Sequence, residues 1–179
     1  MLTLLRFSQL IDGMNEQISR LANWMIILSC LISAGNAMIR YAFDMSSNGW
    51  LEAQWYMFAI AVMFGAAFTL KRNEHVRVDL LYMLMSDRAK LWLDVVGGIL
   101  FLLPMCILLG WLSWPFFMQS YAVLEDSSNA GGLIRWPIKL VMPLGFGLLA
   151  LQGIAEIIKA AGALRGYVQI EAKYERPLQ

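Results

Sequence analysis

The stretch KRNEHVRVDLL, residues 71–81, decides how the whole chain is read. It carries five charged residues and the chain's single histidine, His75, and long apolar runs flank it on both sides. Two readings compete. It is either a catalytic or metal site, or the place where a chain leaves a membrane. A metal centre lacks ligands, because the only other candidates, Cys30 and Cys106, both fall inside apolar runs and one pair of cysteines makes neither a zinc site nor a thiolate cluster. Haem held by two histidines is excluded by the count. The membrane-exit reading remains.

Composition agrees. The chain has 179 residues, 59% of them hydrophobic and 15% charged, against about 45–50% and about 25% for soluble domains. A net charge of +1 gives no sign of nucleic-acid binding. Four apolar runs, roughly 21–43, 51–70, 91–113 and 137–158, each reach the approximately 20 residues of helix that cross a hydrocarbon core. Six of the seven tryptophans stand near the ends of these runs, and Trp55 lies one turn inside, as in the aromatic belts found at headgroup depth. The expected fold is an all-α membrane domain over 1–179 with four transmembrane helices. Eleven of the 14 basic residues fall before span one, between spans two and three, or after span four. That bias predicts that both termini and the 71–90 loop are cytoplasmic.

After the charged stretch, VDLLYMLM (78–85) predicts a short in-plane helix, with Ser86 or Asp87 capping span three. Residues 1–20 place Leu4, Phe7, Leu10, Ile11, Met14 and Ile18 at three- and four-residue spacing. This predicts an N-terminal amphipathic interfacial helix before the chain turns inward. Pro104 predicts a kink in span three, and Pro115 suits the first turn of a separate short helix over 115–124. Residues 160–179 read as a polar, partly helical cytoplasmic tail.

On the opposite side DMSSNG (44–49) forces a hairpin between spans one and two. Arg40 and Glu52 lie near its two ends, so either they pair or Arg40 reaches lipid phosphate by itself. Small residues around Gly65 in span two and Gly145 in span four predict faces for close helix contact with a partner protein. The longest polar connection, 124–136, carries Glu125, Asp126, Arg135 and the Gly131-Gly132 pair. It reads as a contact for a partner on that side, or as a connector packed on the first turn. No acidic residue lies at mid-membrane, where ion-coupled carriers usually place a charge or a broken-helix pair. That disfavours a self-contained oligomeric carrier or channel, and the single histidine disfavours a haem-bearing anchor subunit of a redox enzyme.

The segment NGWLEAQWYMFAIAVMFGAAFTLKRNEHVRVDLLY (48–82) resembles the small membrane subunit of tripartite ATP-independent periplasmic (TRAP) transporters, the DctQ-like family. The likeness rests on Trp50 and Glu52, then Gly65-Ala66-Ala67, Lys71-Arg72, and His75-Val76-Arg77-Val78-Asp79. Residues 127–159 are similar to the branch linked to keto-acid, mannitol or chloroaromatic uptake. Many relatives have two adjacent acids after the tryptophan, whereas here Ala53 follows Glu52. The resemblance implies a scaffold without enzymatic activity or a cofactor of its own. It implies a large elevator-type subunit on another chain, which would carry the sodium sites, and a periplasmic binding protein that captures a small organic acid. It places the chain in the bacterial inner membrane. His75 is expected to orient the membrane-exit segment, with a proton relay as the alternative.

Overall fold

The computed structural model describes residues 1–75 and 84–167. It is all-helical over these residues, with four long helices: α1 (Leu2–Phe43), α2 (Asn48–Arg72), α3 (Asp87–Ala122) and α4 (Trp136–Leu164). Each is long and apolar enough to cross a membrane. The helices alternate in direction. One end of the bundle carries Met1, the end of α2, the start of α3 and the end of α4; the other carries the 44–47 turn and the 123–135 loop.

The opening stretch is a helix stop. Lys71 and Arg72 are the last helical residues of α2, where cations complement the negative end of the helix dipole. Both lie over the Phe68 ring, 5.9 and 5.3 Å from its centroid. Asn73 then adopts the left-handed conformation (φ 60°), with its N–H on the Leu70 carbonyl at 3.0 Å and the Glu74 N–H on the Thr69 carbonyl at 3.1 Å. That pair of bonds is the Schellman closure, with asparagine in the position glycine usually takes. His75 follows, exposed. Arg77, Asp79 and most of the expected in-plane helix lie outside the described residues. Ser86 caps α3, accepting the Ala89 N–H at 3.3 Å.

Three boundaries differ from the sequence reading. The expected division between an interfacial helix (1–20) and span one (21–43) does not exist, since α1 is one helix of 42 residues. Its buried residues Ser8, Ile11, Asn15, Ser19 and Ala22 recur every three or four positions across the expected break. One contact stripe against α2 and α4 therefore keeps the helix unbroken. Residues 115–122 are not a separate helix either. Pro115 lies inside α3, and the turn it disturbs is held by the ring series Trp114–Phe117–Tyr121–Trp136, with centroids 5.5, 5.9 and 5.3 Å apart. Lastly, α4 continues to Leu164 rather than ending near 158. Near Pro104, where a kink was expected, the helix carries a π-helical turn, Gly98–Leu102, in which the Leu103 N–H reaches back to the Gly98 carbonyl. Widening the helix here accommodates a proline that has no N–H and whose ring crowds the preceding turn.

Helix α4 is the hub and touches all three others. Small residues set these contacts. A Cβ on Gly145 would stand 2.8 Å from Met63 of α2, one on Gly98 2.7 Å from Ile157, and one on Gly153 2.8 Å from Leu102. Backbones that approach this closely gain the dispersion contacts that hold helices together where lipid is as apolar as the side chains.

Candidate functional site

Two polar clasps, one at each end of the bundle, hold four ion pairs among the described residues. The first is built on Glu52, in the second turn of α2, whose carboxylate is buried. It accepts the Leu133 N–H at 2.7 Å, the Asn129 amide at 2.8 Å and a short bond from the Ser127 hydroxyl. Arg135 completes the shell 3.8 Å away and donates to Ser127 Oγ at 3.3 Å. The loop is shaped to deliver these donors. Gly131 takes φ +71°, and Gly132 lies so close that a Cβ would fall 2.8 Å from Glu52 Oε2. Asn48 and Tyr56 of α2 add bonds to the Ala130 and Ile134 carbonyls, both at 3.0 Å. A buried carboxylate is tolerated when donors surround it, and here three hydrogen-bond donors and the Arg135 cation do so.

Beside this clasp Glu125 pairs with Lys139 of α4, whose ammonium also lies 4.1 Å from the centroid of the Phe116 ring. The hydrogen bond from Lys139 is the main reason the Glu125 carboxyl is held below its ordinary value of 4.5. Asp126, next in sequence, is exposed.

The second clasp, at the termini end, joins three helices. Asn15 of α1, fully buried, donates to Gln152 of α4 at 2.7 Å. Gln152 in turn donates to Asp12 and Glu156, both at 2.7 Å. Lys159 bridges the same two carboxylates at 3.1 and 2.6 Å. Lys71 of α2 binds Glu16 at 3.0 Å and the Asp12 carbonyl at 3.2 Å. The basic residue that opened the membrane-exit motif therefore ties α2 to α1.

The expected site residues are redistributed. Glu52 pairs with Arg135 rather than with Arg40, which is exposed. Glu125 and Arg135, expected to face a partner, are engaged within the chain. Gly145 is buried against Met63 of its own chain, so the structure does not place it on a partner surface. Gly65 is different, because a Cβ there would meet nothing within 4 Å. Trp50 is half exposed. The termini clasp was not anticipated. Its signal lies in Asp12, Asn15, Glu16 and Ser19 on one stripe and Gln152, Glu156 and Lys159 on another. Reading residues 1–20 for their apolar face overlooked the polar face that packs inward. Among the described residues no group of three or more His, Cys, Asp or Glu could hold a metal ion.

This architecture defines a multi-pass membrane protein whose polar groups gather at the two ends of its bundle. Residues 29–162 match the family model described as tripartite ATP-independent periplasmic transporters, DctQ component. The chain belongs to that family: it is a non-enzymatic TRAP transporter component of the bacterial inner membrane. It is 32% identical over 97 residues to the C4-dicarboxylate TRAP transporter small permease protein DctQ of Vibrio cholerae serotype O1. That alignment covers 53% of this chain and 42% of the relative, so it spans less than half of the relative's length. No solved structure matches.

Proposed function

We propose that this chain is the small scaffold subunit of a TRAP system for small organic acids, bracing a large elevator-type subunit that carries the sodium and substrate sites. The observation that carries this reading is the distribution of charge. Residues 21–39, 53–70, 95–123 and 140–155 contain no Asp, Glu, Lys, Arg or His. A chain that bound an organic anion or a coupling ion at mid-membrane would be expected to place a charge or a broken-helix pair there. Ion pairs instead gather in the end clasps, which make a rigid frame.

In this reading both termini are cytoplasmic, supported by the 11 basic residues of 14 on that side. The organic-acid class draws support from the name of the Vibrio cholerae relative, a C4-dicarboxylate small permease protein. The open surface at Gly65 would seat the large subunit. The 123–135 loop would meet the binding protein through Asp126 and exposed backbone, since Glu125 and Arg135 are engaged internally. Proteoliposomes holding this chain alone, or with its large partner, are supplied with binding protein, labelled organic acid and a sodium gradient. Uptake is expected only with both membrane chains present. Sodium-driven uptake by this chain alone would overturn the scaffold reading.

A further inference from the structure

Helix α1 has three distinct sectors in its first half. The stripe Ser8, Ile11, Asn15, Ser19 and Ala22 is buried against the bundle. A polar flank, Arg6, Gln9, Gln17 and Arg20, lies on one side. On the other, at about 100° per residue, lie Phe7, Leu10, Met14 and Leu21, each at least 40% exposed, with Leu10 at 72%. The same apolar flank continues without a charge through Leu28 to Ile39, both again at least 40% exposed.

That flank is too long for the membrane it must face. From Phe7 to Ile39 it runs about 48 Å at 1.5 Å per residue, against a hydrocarbon core of about 30 Å. Immersing all of it requires a tilt of about 50°, beyond the usual 0–40° for a transmembrane helix. In-plane bending is not available, because α1 is unbroken and its buried stripe crosses the point where a bend would fall. At that inclination the three sectors have consistent surroundings. The apolar flank faces downward into acyl chains, and the polar flank faces water. Asp12 and Glu16, between the polar flank and the buried stripe, meet Lys159 and Lys71.

We infer that α1 crosses the membrane as one steeply inclined rod, with the apolar flank of residues 7–21 sunk in the lipid of the leaflet at the termini end. Lipid is the occupant the structure favours, because this flank is continuous with the exposed, uncharged flank of the span through Leu28 and Ile39.

The test uses the full chain in lipid nanodiscs, in a Cys30→Ser/Cys106→Ala background, with spin labels on Phe7→Cys, Leu10→Cys and Met14→Cys, and on Gln9→Cys and Gln17→Cys for the other flank. Collisional relaxation by oxygen, which partitions into lipid, is compared with relaxation by a water-soluble nickel chelate. Oxygen should dominate at 7, 10 and 14 and the nickel chelate at 9 and 17, with at least a severalfold reversal of the ratio between flanks. Thicker bilayers should raise the oxygen preference at position 7. Equal nickel access on both flanks would mean that residues 7–14 stand in water, and loss of access to both reagents at 7, 10 and 14 would mean that protein covers the flank. Either result overturns the inference. Leu10 is the most exposed of the substituted apolar positions, so its variant preserves the test if Phe7→Cys perturbs folding.

Discussion

Gly132 has no side chain where Glu52 has its carboxylate: a Cβ on the loop glycine would stand 2.8 Å from Glu52 Oε2. A Cβ there would meet Ser127 of the same loop more closely still, so the glycine leaves room both for the acid and for the serine that binds it. Gly132→Ala should disturb the loop and its seat on α2 and destabilise the chain by about 1–3 kcal/mol, the usual cost of overpacking. Thermal unfolding in detergent measures this. A variant as stable as the parent would show that the loop yields freely.

Glu52→Gln preserves shape but replaces one acceptor oxygen by an NH2 donor that faces other donors. The Leu133 N–H, Ser127 hydroxyl and Asn129 amide would then compete for a single amide oxygen, with an NH2 group facing one of them. Cleavage of the 123–135 loop by protease should accelerate by about tenfold, the loop opening more often. Arg135→Gln should do much less, since its 3.8 Å contact is longer and its side chain is a third exposed. Equal acceleration in the two variants would shift the weight of the clasp from the hydrogen bonds to the ion pair.

Glu125 supplies a pH signature. Its carboxyl titrates below 4.5 in the folded chain because Lys139 donates to it. In the interval between that lowered value and 4.5 the unfolded chain binds the extra proton, so stability rises with pH there. The contribution is complete above 4.5 and disappears as pH falls through the folded value. The difference in melting temperature between the parent and Lys139→Met should therefore shrink on acidification below 4.5. A difference that stays constant down to the acid limit of folding would remove Glu125 from the account.

In the termini clasp, Gln152→Leu strips Asn15 of its acceptor in a fully buried setting. A loss of about 2–3 kcal/mol is expected, as for a buried polar group left unpaired. Asn15→Leu combined with Gln152→Leu should lose less than the sum of the two single variants, because no orphaned amide remains. A double-mutant cycle reads the coupling directly, and additive losses would show that the two amides act independently.

Gly65 and Gly145 separate folding from assembly. Gly145→Leu collides with Met63 and should reduce the yield of folded chain by itself. A Cβ at Gly65 meets nothing within 4 Å, so Gly65→Leu should fold far better than Gly145→Leu and fail chiefly in co-purification with the large partner. Normal co-purification of Gly65→Leu would move the partner surface elsewhere.

These outcomes show which features were legible in the sequence. The four spans could be read because hydrocarbon imposes a length and a polarity that a short window displays. The helix stop at Asn73 was legible as an exit, although its Schellman bonds were not. The merger of residues 1–20 with span one was hidden, because it depends on Ser8, Asn15 and Ser19 packing inward, and small polar residues read equally well as a solvent face. Glu52 stood out by its position, but its partners lie 75 to 81 residues later. Nothing local in the chain announces that the Leu133 N–H will point at it.

The same separation sets an order of events during synthesis. At about 5–20 residues per second, Glu52 waits on the order of 4–16 seconds for Leu133, 81 residues later. Asp12 waits on the order of 7–30 seconds for Lys159, 147 residues later. Throughout that time the α1–α2 hairpin sits in the membrane with carboxylates whose lasting partners have not been made. The polar ends of the hairpin are therefore completed last, when the 123–135 loop and α4 arrive.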